Sequence, residues 1–128
     1  MAQSEAKQLI KYLFVGFGAV AIDFLVYRGL LYWTPLDISL IKATSYILGA
    51  LFAFVLNKWF TFQSDAAVHR EFWKFAVLYG ISFLTNVALN RVVYVITEQA
   101  TWAFLVATGT TTVMNYVGQK FWVFAAKR

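Results

Sequence analysis

Apolar residues gather in four long stretches, roughly residues 9–33, 39–60, 72–97 and 102–124, separated by short polar or turn-forming segments. A helix needs about 20 apolar residues to cross a bilayer, and each stretch meets that length. Pro35 and Asp37 mark the turn after the first span, since proline ends a helix at about the preceding residue. Gln63-Ser64-Asp65-Ala66-Ala67 and the charged His69-Arg70-Glu71 are expected as the middle loop, and Glu98-Gln99 as a very short third connection. Low-complexity tracts, flexible linkers and domain boundaries are absent from the sequence. The pattern predicts an all-α, polytopic membrane protein with four transmembrane helices in a single transmembrane domain, residues 1–128.

Composition points the same way. Apolar residues make up 61% of the 128 and charged residues 13%, against about 45–50% and about 25% in soluble domains. A domain of this size buries only part of its surface, so it could not hide that much apolar area from water. Part of its solvent must be lipid. The +5 net charge does not indicate nucleic acid, because the basic residues punctuate apolar runs instead of forming one basic face. With no Cys and a single His, disulfide frameworks, zinc clusters, thiol catalysis and multi-His sites are excluded, and neither metal nor cofactor is expected.

Lys7 and Lys11 precede the first apolar run as in a signal peptide, yet Asp23 and Arg28 interrupt it and no small-x-small cleavage site follows. A retained helix is expected. With both termini in the cytoplasm, Lys7, Lys11, Lys58, Arg70, Lys74, Lys120, Lys127 and Arg128 lie inside. Only Arg28, Lys42 and Arg91 lie outside, a bias of 8 to 3 that selects this orientation.

The two halves resemble each other. A shift of 63 places Lys11 on Lys74, Asp23 on Asn86 and Arg28 on Arg91; a shift of 62 places Phe54 on Tyr116, Asn57 on Gln119, Lys58 on Lys120 and Phe62 on Phe124. Repeat 1 covers about residues 9–62 and repeat 2 about 72–124. Each holds an even number of spans, so the fold class becomes two parallel-repeat helical hairpins, related by an axis along the membrane normal. Ser45, Gly49 and Ala53 form a small-residue stripe at four-residue spacing, matched by Ala107, Thr111 and Asn115. Close helix packing is the ordinary use of such a stripe.

Polar residues at membrane depth fall into three tiers. Asp23 lies roughly 18 Å beyond Lys11 at 1.5 Å per residue, near the middle of a hydrocarbon core about 30 Å thick, and Asn86 occupies the same depth in the third span. Arg28 and Arg91 sit a further turn and a half out. Lys11, Lys58, Lys74 and Lys120 ring the inner interface, with Asn57, Asn115 and Gln119 just within it. Cations at both rims with a polar path between them suit an anionic group that visits both leaflets, such as a lipid phosphate. Each feature also has a plainer use. Lysines beside Trp59, Trp73 and Trp122 can simply snorkel at the interface; Asp23 can form a structural ion pair with Arg28, Arg91 or Lys42; Thr108 and Thr110–Thr112 can bond back to their own helix carbonyls.

Enzyme chemistry is not expected. Gly16 and Gly18 lack the partners of a phosphate loop, and no second carboxylate stands beside Asp23 for acid–base work. Tyr12-Leu13-Phe14-Val15-Gly16, Ile22-Asp23-Phe24, Phe54-Val55-Leu56-Asn57-Lys58-Trp59-Phe60-Thr61-Phe62, Asn115-Tyr116 and Lys120-Phe121-Trp122-Val123-Phe124 resemble the GtrA-like family of small four-span bacterial inner-membrane proteins, over nearly the whole chain. The resemblance implies flipping of a polyprenyl-phosphate-linked sugar for cell-surface polysaccharide glycosylation. It implies roles for Asp23, Asn57, Lys58, Asn115 and Lys120 in substrate binding, to which the tiers add Arg28, Asn86 and Arg91. Gln119 stands where the first half has Asn57. The expected partners are the lipid-linked sugar, membrane lipids and a second copy in a homodimer. The alternative is a non-transporting adaptor that recruits or stabilises a glycosyltransferase. An exporter like the small multidrug-resistance proteins is a third reading, but it would favour an intramembrane Glu over two rims of cations.

Overall fold

A computed structural model describes residues 3–125, which form only helices and their connections. They fall into two units, divided between Asp65 and Ala66. In the first, helix α1 (Glu5–Trp33) packs on α2 (Ile38–Leu56), which runs on into a five-residue π-helix, π1 (Asn57–Thr61). In the second, α3 (Val68–Thr97) packs on α4 (Ala100–Gly118), which runs on into π2 (Gln119–Val123). Glu5–Trp33, Leu40–Thr61 and Val68–Thr97 are long and apolar enough to cross a membrane. The fourth helix is less apolar, diluted by its threonines and Asn115. Lys127 and Arg128, counted above for orientation, lie outside the described residues.

The helix ends follow local chemistry. Ser4 caps α1, its Oγ accepting from the Lys7 amide at 3.1 Å, and Glu5 in the first turn suits the positive end of the helix dipole. Both the amide and the hydroxyl of Thr34 donate to Leu30 O, at 3.0 and 2.7 Å, closing α1 just before Pro35. Glu98 turns the chain out of α3 with φ 55°, the left-handed conformation that ends many helices. Two expected boundaries change: α1 and α3 begin one turn earlier, so His69, Arg70 and Glu71 are helical, not loop. Sequence hydropathy stops at the last apolar residue, whereas a first turn accepts an acid such as Glu71.

The same positions are buried in both units. In α1 they are Gln8, Tyr12 and Val15; in α3, sixty-three residues on, Glu71, Phe75 and Leu78, with Ser82 one turn further. On α2 and π1 the buried line is Ile41, Ser45, Gly49, Ala53, Asn57 and Thr61; on α4 and π2 it is Ala103, Ala107, Thr111, Gln119 and Val123, with Asn115 half-buried. The small-residue stripe therefore faces protein in each unit. At Gly49 the reason is direct, since a Cβ there would lie 2.7 Å from Ala19 O. The faces turned away from the partner helix carry Phe14, Phe17, Leu25, Ile47, Leu84, Val95 and Phe104, all exposed. An exposed apolar surface of this extent belongs in lipid.

Candidate functional site

In the first unit the intramembrane carboxylate accepts hydrogen bonds from two side chains among the described residues, both on α2. Lys42 Nζ donates to Asp23 Oδ2 at 2.9 Å and to Oδ1 at 3.0 Å, and Ser45 Oγ donates to Oδ1 at 2.7 Å. Of the three cations weighed as partners for Asp23, Lys42 is the one α2 delivers, nineteen residues on. Arg28 lies on α1 about a turn and a half further along, exposed, with no ion pair among the described residues. The second unit solves the same position without charge. Asn86 Nδ2 donates to Thr111 Oγ1 at 3.2 Å, and the Thr111 hydroxyl donates to Ala107 O at 3.0 Å. One turn away, Ser82 Oγ donates to Asn115 Oδ1 at 2.5 Å. Arg91, like Arg28, is exposed.

At the other end of each unit, the repeated motif adopts a π-turn. The Phe62 amide reaches back to Asn57 O at 2.8 Å, and the Phe124 amide to Gln119 O at 2.9 Å. π-turns are rare and frequent at functional sites. In π1, Thr61 Oγ1 donates to Asn57 Oδ1 at 2.8 Å, fixing the asparagine. Carbonyls at this helix end find partners on α1 and just before it: Lys11 Nζ donates to Phe60 O at 3.3 Å and lies 4.6 Å from the Phe60 ring centre, while Gln3 Nε2, two residues ahead of α1, donates to Thr61 O. Tyr12 and Phe62, both buried, pack with ring centres 6.4 Å apart.

Lys58 does not snorkel. It is 1% exposed, whereas a snorkelling lysine keeps its ammonium in water; its Nζ lies 5.4 Å from the Trp59 ring centre. In the second unit the lysines meet aromatic rings. Half-buried Lys120 lies over Tyr116 and Phe121 at 5.7 and 5.5 Å, and Lys74 lies 5.9 Å from the Trp122 ring, which Trp73 meets edge-on at 5.8 Å. These are the contacts of an aromatic belt. Thr112 bonds back to Thr108 O at 2.7 Å, as expected of the threonine cluster.

The structure thus brings Asp23 together with Lys42, and Asn57 with Lys58 on one π-turn. The two groups lie on opposite parts of the hairpin, about 24 Å apart by the helical rise between Lys42 and Lys58. The buried polar residues Gln8, Glu71, Ser64, Thr61 and Ser82 were not among the expected site residues. For the first two the signal was available, since the shift of 63 sets Gln8 on Glu71 and Tyr12 on Phe75.

No solved structure matches the chain. Residues 11–124 match the family described as GtrA/DPMS, transmembrane domain. A multi-pass helical chain whose motif residues line up in two hairpins is thereby placed: it belongs to the GtrA/DPMS transmembrane-domain family.

Proposed function

We propose that the chain flips a polyprenyl-phosphate-linked sugar across the bacterial inner membrane for cell-surface polysaccharide glycosylation, without enzymatic chemistry of its own. In this reading both termini face the cytoplasm, and the two hairpins act as repeats of one transmembrane domain, paired with a second copy. The observation that carries it is the order of polar groups along each hairpin. A motif lysine stands at one end, Lys58 or Lys120; a polar contact at depth follows, Asp23 with Lys42 and Ser45 or Asn86 with Thr111; an exposed arginine stands beyond, Arg28 or Arg91. Lysine and arginine both take phosphate, and hydroxyl, amide and carboxylate groups suit sugar hydroxyls. Asn57 and Asn115 flank the lysine end.

The test is flipping of a fluorescent polyprenyl-phosphate hexose by the purified chain in liposomes. The expected result is chain-dependent movement of the lipid between leaflets, lost in Lys58→Gln/Lys120→Gln. Liposomes that flip no faster with the chain than without it would overturn the proposal. If cells lacking the chain then also lost glycosyltransferase from their membranes, the adaptor reading would take its place.

A further inference from the structure

We infer that Lys42 is a phosphate-binding residue held in reserve by Asp23. In the unloaded chain the carboxylate takes the position on the ammonium that the phosphate of the substrate occupies later, and the arriving phosphate displaces it. This rests on the translocation reading above and adds to it a site in the depth of the first hairpin.

The pair is built to open on one side. Asp23 is largely covered, with 19% of its side chain exposed, and is held by Ser45, itself fully buried. Lys42 is the outlying partner, 56% exposed on a flexible four-carbon stem, its Nζ 5.7 Å from the Tyr27 ring centre. When Lys42 swings away, Asp23 keeps the Ser45 hydrogen bond. Carboxylate and phosphate oxygens present the same charge-assisted acceptor to an ammonium, so one can stand in for the other.

The second unit acts as an internal control. The same hairpin is closed at the same depth by Asn86 and Thr111, with no charge, and the position matching Lys42 is Phe104, which is exposed. Helix packing therefore does not require an ion pair there. Charges inside a membrane carry a cost and are retained where they serve a function. The local balance also fits the ligand: Lys42 and Arg28 against Asp23 leave one positive charge, which a phosphodiester neutralises.

The test is titration of the purified full chain in neutral detergent with dodecyl phosphate, beside inorganic phosphate. Removing the competing carboxylate in Asp23→Asn should tighten dodecyl phosphate about tenfold, as release of a blocked state does. The gain should vanish in Asp23→Asn/Lys42→Gln. In the otherwise unaltered chain, Lys42→Gln should lose affinity and Lys42→Arg keep it, which holds the test open should Asp23→Asn fail to fold. A chain that flips the polyprenyl-phosphate hexose but binds dodecyl phosphate no more tightly as Asp23→Asn would overturn the reserve role alone. Absence of dodecyl phosphate binding in every variant would overturn both this and the translocation reading. An equal gain for inorganic phosphate would overturn the lipid as the ligand.

Discussion

A cation near a membrane surface can anchor a helix or hold a ligand, and the two uses differ in what they demand of the side chain. An anchor asks only for charge on a long stem, so lysine and arginine exchange freely. Where arginine holds a phosphate, it does so through a planar fork that lysine lacks. Arg28 and Arg91 are exposed, and no ion pair occupies them among the described residues. Arg28→Lys and Arg91→Lys should each slow flipping roughly three- to tenfold, the loss of one bidentate contact. Liposome flipping rates at matched incorporation measure it, and rates equal to those of the unaltered chain would make both arginines anchors. Asp23 stood out in the sequence because an intramembrane acid needs a partner. That Lys42 is that partner was one of three possibilities, since spacing along separate helices does not fix which cation the packing delivers.

At the scale of elements, the helices were legible because length and hydropathy alone set a span, and the stripe of Ser45, Gly49 and Ala53 predicted close approach. The π-turns were not legible. Adding one residue to a helical turn leaves no mark in composition, and the residue types of Asn57–Thr61 and Gln119–Val123 are ones that an α-helix also carries at an interface. Burial repeats at four-residue intervals through both turns, so each motif carries its amide, Asn57 or Gln119, to the protein-facing side. The tight seam between α1 and α2 is testable at single-methyl resolution. Gly49→Ala places a Cβ against the Ala19 carbonyl and should destabilise by about 1–3 kcal/mol, the usual cost of overpacking. Gly80→Ala, with open space where its Cβ would lie, should be neutral or gain up to about 1 kcal/mol from helix propensity. Unfolding midpoints of the two purified variants make the comparison, and equal shifts would mean that the seam yields.

For the whole chain, the sequence carries an orientation that the helices themselves do not. Lys and Arg fall 8 to 3 in favour of cytoplasmic termini, and without Lys127 and Arg128 the remaining six to three still points that way. Reporters that fluoresce only in the cytoplasm should be active at both termini and between Gln63 and Ala67, and silent at Glu98. A dark reporter at either terminus would reverse the assignment of the lysine end to the inner leaflet. The matching of the halves was readable from Lys11, Asp23, Arg28 and the Asn57–Phe62 motif. Their divergence at depth was readable only in part: Asp23 against Asn86 shows in the alignment, but the hydrogen bond that Thr111 supplies, where the first half has Gly49, emerges only from packing.

The bond between Asp23 and Lys42 also bears on how the chain enters the membrane. Nineteen residues separate the two, so the carboxylate reaches the bilayer while its counterion is still on the helix that follows. Alone in lipid, Asp23 would cost about 2.5–3.5 kcal/mol on insertion scales. Entry of the two helices as a joined pair would spare that cost. The later pair of helices, joined at the same depth through uncharged Asn86 and Thr111, places no carboxylate there ahead of its partner.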